Sequence, residues 1–294
     1  MPIRRRSLLE KASLLQRGRL LSPARGGVSV ARATSLEDLT AACRLRGDGP
    51  EEGHADGDLG GARLVPHDAS PETATFVACV GGEIIAAMSA VPDSPDLGLP
   101  SDGTFPRELG LLRAMHRRAC EITMALPARG RQGRGAIPEL VRACLAQALA
   151  CGCDGLFVAV PGALARLFEE VLQFEAWGRA LGADSARPRV VEGKRMDLRG
   201  LRQRLLDADR DLGLDAFLCD YYFSANPYHH SVRAWSVAAG RVFSDPEALR
   251  RLFVERSNLL ECCTAGEQAA IRGRWGDDLF EVVCPAYALD AALA

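Results

Sequence analysis

The sequence ACEITMALPARGRQGRGAIPELVRACLAQALACGCDGLFVAV, residues 119–160, contains two apolar runs separated by a turn rich in glycine and arginine and by a helical pattern. Residues 120–126 and 156–160 have the length and composition of buried strands, and the run from Ile137 to Ala150 predicts a helix. Strand, helix and strand in succession indicate one βαβ unit. The sequence therefore predicts an α/β protein with a central sheet flanked by helices.

The turn at residues 128–136 precedes the predicted helix, whose Pro138 suits a first helical turn. Residues without bulky side chains leave backbone N–H groups free at a helix start, where the macrodipole and nearby arginines favour a phosphate. A solvent-exposed loop is the alternative. The glycine spacing is not that of a dinucleotide fingerprint, and a P-loop would need Lys-Ser/Thr. The turn's arginines and glycines are Arg129, Gly130, Arg131, Gly133, Arg134 and Gly135.

Elements before this unit are predicted from the same signals. Residues 75–80 and 83–89 form a β-hairpin in which Gly81 and Gly82 supply positive φ angles. Residues 28–31 are expected to form a strand and residues 34–37 to begin a helix. A short helix is expected at residues 108–116. Residues 47–61 have no apolar periodicity and predict an exposed loop.

Bulk composition limits the functional class. The 294 residues are 48% hydrophobic, which excludes disordered and fibrous proteins, and 36 basic against 38 acidic residues give no overall field that would attract nucleic acid. The ten cysteines have no paired spacing, so we expect reduced, mostly buried thiols and no metal site.

The first 27 residues carry seven basic residues against one acidic residue, Glu10. Polar residues interrupt what an export signal would keep as a continuous apolar core, and no run reaches the length of a membrane helix. We therefore expect a cytoplasmic protein with a mobile basic leader. Transient contact of this leader with an anionic membrane or an acidic protein is the alternative.

Several phrases resemble one family. They are Pro66-His67-Asp68-Ala69-Ser70-Pro71-Glu72-Thr73-Ala74-Thr75-Phe76-Val77-Ala78, Ser89-Ala90-Val91-Pro92-Asp93-Ser94, Gly98-Leu99-Pro100-Ser101-Asp102 followed by Pro106-Arg107-Glu108-Leu109 and Arg113, and Ala119-Cys120-Glu121-Ile122-Thr123. Over residues 28–198 the chain resembles the long-chain N-acyl amino acid synthases, which are similar to the acyl-homoserine-lactone autoinducer synthases. The resemblance implies a GNAT-like mixed sheet for residues 28–198, after the leader at residues 1–27 and before an extension at residues 199–294.

The resemblance implies amide formation between a fatty acyl group on a carrier thioester and the amine of an amino acid. The donor would be an acyl-phosphopantetheine, on acyl carrier protein or coenzyme A, with no tightly bound cofactor. Glu121 is the candidate general base, because burial raises the pKa of a carboxyl group. An ion pair with Arg117 or Arg118 at the strand end is the alternative.

Other site residues are expected around this strand. Backbone N–H groups at Met124 to Leu126 would stabilise an oxyanion or bind the pantetheine arm, and the turn, a shifted version of the GNAT pyrophosphate turn, would hold the phosphates. Its arginines, with Arg117 and Arg118, would also dock an acidic acyl carrier protein, unless they form only a solvated basic face. The predicted donor-binding residues are Met124, Ala125, Leu126, Arg129, Gly130, Arg131, Gly133, Arg134 and Gly135, and the predicted substrate-binding residues are Asp68, Ser89, Asp102 and Thr123.

The chain also departs from the family pattern. Leu164 and Phe168 occupy positions where the family has His and Tyr, so the phenol that protonates a leaving thiolate in related folds is missing. A relative that only binds acyl groups, or an autoinducer-synthase-like enzyme, is therefore an alternative. The extension is expected to be mainly helical, with an amphipathic helix at residues 249–260. Its aromatic residues at 220–223 and 228–230 either pack in a core or line a pocket.

Overall fold

The computed structural model describes residues 27–47, 64–125, 132–181, 190–211 and 217–285. The predicted basic leader, apart from Gly27, and the predicted loop at residues 47–61, apart from Gly47, lie outside these ranges.

One seven-stranded mixed sheet organises the described part of the chain. Its strands lie in the order β1-β2-β3-β4-β5-β7-β6, and all neighbours are antiparallel except β4 and β5, which run parallel. The α/β prediction with a central βαβ unit is therefore confirmed. The strands are β1 (Ser29–Arg32), β2 (Ala74–Val80), β3 (Glu83–Pro92), β4 (Ala119–Ala125), β5 (Gly155–Pro161), β6 (Glu175–Leu181) and β7 (Val190–Asp197).

The hairpin of β2 and β3 turns at the predicted double glycine. Gly81 and Gly82 have φ angles of 61° and 88°, which side chains with a Cβ adopt only at a cost in energy. The two residues therefore make the tight connection between the two strands.

The flanking helices are numbered in chain order. They are α1 (Leu36–Gly47), α2 (Pro106–Ala114), α3 (Gln132–Ala150), α4 (Gly162–Arg166), α5 (Leu201–Asp211), α6 (Phe217–Cys219), α7 (Tyr228–Val242), α8 (Pro246–Arg250), α9 (Leu259–Cys262), α10 (Ala265–Trp275) and α11 (Asp277–Val283). Short π-helical segments at Leu167–Val171, Asp220–Ser224 and Arg251–Glu255 continue α4, α6 and α8.

Helix α3 fills the main core against one face of the sheet. Ile137, Leu140 and Val141 are fully buried there with Phe76 and Met88 of the sheet. This continuous apolar contact explains why α3 is stable although its first turn contains glycine, which costs about 1 kcal/mol in a helix interior.

The start of α3 differs from the prediction. The helix begins at Gln132, so Gly133, Arg134 and Gly135 belong to its first turn, and Pro138 lies inside the helix, beyond its first turn. Glycine lowers helix propensity without forbidding a helix, whereas proline removes one backbone hydrogen bond. The buried face from Ala136 onward outweighs both effects.

Helices α1 and α2 cover the opposite face of the sheet. Ala42 of α1 packs against Val77, Ala87 and Ala125. Leu109 and Leu112 of α2, with Leu99 and Phe105, pack against Phe157 and Ala119. Two separate apolar clusters therefore cover this face and leave a strip of sheet between them.

The extension is mainly helical in its described part, as predicted. The helix expected at residues 249–260 is wrong as one element, because α8 and its π-helical segment end at Glu255, before α9 begins at Leu259. Tyr221 and Tyr222 are buried in the main core, where Tyr222 donates to the carbonyl of Leu172 over 2.9 Å. The core-packing interpretation therefore holds for Tyr221, Tyr222 and Tyr228.

All ten cysteines are free thiols, and seven of them are buried. The described residues contain no group of three or more His, Cys, Asp and Glu side chains able to hold a metal ion. No helix within the described ranges combines the length and apolarity needed to cross a membrane.

Candidate active site

Glu121 lies in the middle of the sheet on β4, between Val91 of β3 and Phe157 of β5. Its side chain is on the face covered by α1 and α2, and only 2% of the residue is exposed. Ser101 donates to both carboxylate oxygens: its Oγ lies 2.6 Å from Oε1 and its backbone N lies 3.0 Å from Oε2. Glu121 is thus a buried carboxyl group held by one residue of a loop.

The protonation of Glu121 follows from this environment. Burial raises the pKa of the carboxyl group to about 7, because the charged form loses its hydration, and the two bonds from Ser101 oppose that rise only in part. No arginine or lysine forms an ion pair with Glu121 within the described part of the chain; Arg117 instead lies 3.7 Å from Asp197. The strand-end ion pair considered from the sequence is therefore not formed.

A row of hydroxyl groups crosses the sheet beside Glu121. Thr75 of β2 is opposite Ser89 of β3, and Ser89 is opposite Thr123 of β4. The Oγ1 of Thr75 and the Oγ of Ser89 are 2.9 Å apart. Because Thr123 is two residues beyond Glu121, the row lies on the same face as the carboxyl group. Thr123 is half-buried, so this row approaches solvent along β4.

Asp102 supports the loop that carries Ser101. Its Oδ2 accepts the backbone N–H of Leu99 over 2.8 Å, and both carboxylate oxygens lie 2.7 Å from the guanidinium of Arg113. Arg113 also binds both oxygens of Asp93 over 2.7 Å. The loop between Asp93 and Asp102 is therefore closed by one arginine, which fixes the position of Ser101.

Gly98 meets a backbone requirement in the same loop. Its φ is 64°, and a Cβ placed on it would lie 2.2 Å from Oδ2 of Asp102. The carbonyl of Gly98 also lies 3.3 Å from Nε2 of His67. Burial lowers the pKa of His67, so the ring is neutral near pH 7. A side chain at position 98 would displace the loop that holds Ser101.

Asp68, the other predicted substrate-binding carboxylate, forms a bidentate ion pair with Arg46 of α1. Its Oδ2 and Oδ1 lie 2.5 and 3.1 Å from Nη1 and Nη2 of the arginine. It also accepts the backbone N–H of Val65 over 2.8 Å. The observed contacts of Asp68 and Asp102 therefore stabilise local structure, and those of Ser89 join strands. Substrate binding by Asp68, Ser89, Asp102 and Thr123 stays a prediction.

The strands β4 and β5 separate at one end. Their paired register runs from Ala119 with Gly155 to Ile122 with Val158, whereas β4 continues to Ala125 and β5 to Pro161. Met124 and Ala125 therefore lie on a strand whose edge toward β5 is unpaired in this register. Leu126, Arg129, Gly130 and Arg131 lie outside the described residues, and the side chains of Gly133 and Arg134 are likewise not described.

The two residues that depart from the family pattern pack in the interior of the protein. Leu164 of α4 is buried, and Phe168 in the following π-helical segment is fully buried, with its ring centroid 5.2 Å from that of Phe174. Both belong to the main core. These positions therefore hold apolar packing residues where the resemblance implies polar ones.

A comparison with family models supplies the classification. Residues 50–190 match the model described as "N-acyl amino acid synthase FeeM". Over this segment the chain is similar to the N-acyl amino acid synthases, and the match supports an acyltransferase. The matched segment contains Glu121, Ser101 and the βαβ unit, and it excludes β1, α1 and the helices from α5 onward.

Two solved structures also align with part of the chain. FeeM, an N-acyl amino acid synthase from uncultured soil microbes, aligns with a TM-score of 0.48 at 18% identity over 60% of this chain and 93% of FeeM. YncA from Salmonella typhimurium, a putative acetyltransferase solved with acetyl-CoA, aligns with a TM-score of 0.41 at 14% identity over 58% of this chain and 94% of its own. No curated protein sequence matches the chain significantly.

Ser101 was not among the predicted site residues. It lies 20 residues before Glu121 in a connector rich in proline and aspartate, and only the fold brings the two together. The one signal available was that Gly98-Leu99-Pro100-Ser101-Asp102 belongs to a family-like phrase. Arg113, which closes the loop, belongs to the same stretch.

Proposed function

We propose that this acyltransferase moves a long-chain fatty acyl group from a carrier thioester to the amine of an amino acid, with Glu121 as general base. The observation that carries the proposal is the buried carboxyl group on β4, with a pKa of about 7, beside the point where β4 and β5 separate. A base with a pKa near the operating pH is well matched to accept a proton from an amine.

The donor would bind at the separated strands. The unpaired edge of β4 at Thr123 to Ala125 offers backbone N–H and C=O groups to the amide groups of a pantetheine arm. Helix α3 begins at Gln132, after residues 126–131, so its first N–H groups follow closely in sequence and favour the donor's phosphate. The predicted donor-binding residues from Met124 to Gly135 belong to this proposal.

The chemical step is an acyl transfer. Glu121 takes a proton from the amino acid's ammonium group, and the free amine attacks the thioester carbonyl. The C–N bond forms, the C–S bond breaks, and the nitrogen loses one further proton, which reaches the leaving thiolate through solvent, while the amide keeps one N–H. Backbone N–H groups of β4 near Met124 would stabilise the oxyanion of the tetrahedral intermediate. The products are an N-acyl amino acid and a free thiol.

The leaving thiolate needs little help. A thiol has a pKa of about 8.5, so its anion leaves readily at neutral pH. Transfer can therefore proceed although Phe168 replaces the family's tyrosine.

A second candidate function rests on that same replacement. Leu164 and Phe168 extend the apolar core where related enzymes have His and Tyr, which favours a relative that binds an acyl group without transferring it. Both functions require the donor to bind, and only the first releases a thiol together with a new amide.

The test is to incubate the purified full chain with acyl carrier protein thioesters and acyl-coenzyme A of several chain lengths, together with pooled amino acids. Free thiol and N-acyl products are followed by mass spectrometry. Formation of an N-acyl amino acid identifies chain length, acceptor and carrier. Thioester binding without any product at all chain lengths supports the binding protein and overturns the synthase.

The role of Glu121 is tested separately. Glu121→Gln should lower kcat/KM on the order of a hundredfold, the lower range for a positioned base. Glu83→Gln is the matched control, because Glu83 is exposed at the hairpin turn of β3 and the substitution makes the same charge change. A normal rate in Glu121→Gln would remove this residue from the mechanism.

Cytoplasmic location, docking of an acyl carrier protein by the basic turn and contact of the leader with a membrane belong to this proposal as expectations. The charges of the 36 basic and 38 acidic residues nearly cancel. Docking of a carrier protein would therefore depend on the local charge at the turn.

A further inference from the structure

A cleft of about 540 Å³ lies next to the end of β3 and the start of β4, between side chains on the α3 face of the sheet and the loop that begins at Asp93. This volume is typical of small-molecule sites. Three arginines are among its lining residues: Arg32 of β1, Arg118 just before β4, and Arg274 of α10. Gln147 of α3 and Ser236 of α7 are polar residues that also line the cleft.

Arg32 is a buried cation. Only 5% of the residue is exposed. Its Nη1 donates to Oγ of Ser236 over 2.9 Å and its Nη2 donates to the carbonyl of Thr73 over 3.3 Å. Both acceptors are neutral, although a guanidinium carries five N–H donors and a full charge. Among the described residues no carboxylate lies within 4.0 Å of Arg32, and burying an unpaired charge is costly.

The carboxylates around the cleft are occupied by other arginines. Asp96 binds Arg274 at 2.6 and 2.8 Å, and Asp93 binds Arg113 at 2.7 Å. Glu72 is mostly exposed and lies 3.7 Å from Arg274. Arg118 also lines the cleft, and none of the described carboxylates forms an ion pair with its exposed guanidinium. Two positive groups of the cleft therefore have no acidic partner among the residues that the structure describes.

Gln147 provides a second, independent observation. The residue is 94% buried, and its Oε1 has no hydrogen-bond partner, while its Nε2 lies 3.3 Å from Sγ of Cys151. Buried polar groups without a partner are rare in folded proteins. Gln147 also lines the cleft, and a ligand donor that reached Oε1 would satisfy this acceptor.

We propose that this cleft binds a small hydroxylated or amino-bearing oxyanion, whose carboxylate or phosphate group pairs with Arg32 and Arg118 and whose O–H or N–H donates to Gln147. The site differs from the acyltransfer site, because the side chain of Arg32 lies on the α3 face of the sheet and Glu121 faces α1 and α2, although both border the loop that begins at Asp93.

The site also explains what the flanking parts of the chain contribute. Arg32 precedes the family-matched segment at residues 50–190, and Ser236 and Arg274 follow it. Three groups of the cleft therefore come from the parts of the chain outside the family match. The extension completes a ligand site that the matched segment alone does not contain.

The experiment uses the full chain, with inorganic phosphate and L-malate as probes at equal ionic strength against sodium chloride. Thermal unfolding and titration calorimetry measure binding. We expect a rise in Tm and measurable heat with at least one probe, since a ligand that binds only the native state stabilises it. The probe with the lower Kd tells whether the anion is a phosphate or a hydroxycarboxylate.

Arg32→Gln should raise the Kd of that probe at least about tenfold, as expected for loss of a charge-assisted bond. Arg233→Gln, an exposed change of the same type on helix α7, should leave the Kd unchanged. Without ligand, the Tm of Arg32→Gln should equal or exceed that of the unmodified protein, because the variant no longer buries an unpaired charge.

Arg118→Gln keeps the test decisive if Arg32→Gln does not fold. Arg118 is exposed, so this variant should fold normally and weaken binding at least about threefold. The proposal is overturned if neither probe binds the unmodified protein, if the shifts in Tm follow ionic strength alone, or if the arginine variants bind as well as Arg233→Gln.

Discussion

Ser101 donates to both oxygens of Glu121, from its hydroxyl over 2.6 Å and from its backbone N–H over 3.0 Å. A hydrogen bond to the ionised carboxylate favours that form and lowers the pKa. Ser101 therefore limits the rise in pKa that burial imposes on Glu121.

Replacing Ser101 tests this relationship. Ser101→Ala removes the bond from Oγ and should move the pKa of Glu121 upward from about 7 by roughly one unit, because a bond to a charged group contributes about 1.5–3 kcal/mol. The acid limb of the profile of kcat/KM against pH should shift upward by the same amount. Ser94→Ala, in the same loop, should leave the limb in place. An unshifted limb in Ser101→Ala would show that the bond does not control the active carboxyl group.

The pKa of Glu121 also predicts how stability depends on pH. Burial raises this pKa from 4.5 to about 7 in the folded chain, so the folded state binds the proton more tightly than the unfolded state. The contribution to stability is full below pH 4.5 and is lost as pH rises through about 7, an effect on the order of 3 kcal/mol.

Glu121→Gln should remove this component. The free energy of unfolding, measured by urea denaturation from pH 4.5 to pH 8, should fall less steeply in the variant than in the unmodified protein. Glu83→Gln should keep the original slope, because Glu83 is exposed. Equal slopes in all three proteins would contradict the raised pKa.

Gly98 is expected to tolerate no side chain. Gly98→Ala would place a Cβ 2.2 Å from Oδ2 of Asp102 at a φ of 64°, and should cost about 1–3 kcal/mol in unfolding free energy together with a fall in activity as Ser101 moves. Gly103→Ala is the matched control, because nothing lies within 4 Å of its Cβ position. Thermal unfolding of both variants checks the difference, and equal Tm values would show that the loop adapts.

Restoring the family's phenol should not improve the enzyme. Phe168 is fully buried in the main core beside Phe174, so Phe168→Tyr would bury a hydroxyl without a partner and lower stability by about 1–3 kcal/mol. Phe223→Tyr, at a half-buried position, should change stability little. Denaturation and kcat measurements test both variants. A rise in kcat for Phe168→Tyr would show that the family's general acid can still act here.

The sequence was informative where structure is local. The double glycine of the β2–β3 hairpin, the βαβ unit and the glutamate on β4 are each encoded by neighbouring residues, and the structure confirms the hairpin and the βαβ unit. The helix start at Gln132 was missed because glycine propensity suggested a turn, whereas burial from Ala136 onward favours a helix.

Contacts between distant parts of the chain were not predictable in this way. Ser101 meets Glu121 only because a loop folds back over the sheet, and Arg32 meets Ser236 across 204 positions. Strand β7 was also missed. It contains a fully buried lysine, Lys194, whose ammonium group forms ion pairs with Glu169 and Glu192. A lysine in a short run of charges does not signal a strand until its partners are known.

Arg113, which joins Asp93 to Asp102, is exposed to solvent, whereas Glu121 is not. Dissolved salt screens surface charges and hardly reaches a group inside the protein. The loop that Arg113 closes nevertheless contains Ser101, which donates hydrogen bonds to Glu121. A higher ionic strength should therefore affect the buried carboxyl group indirectly, by weakening the two ion pairs that Arg113 forms with Asp93 and Asp102.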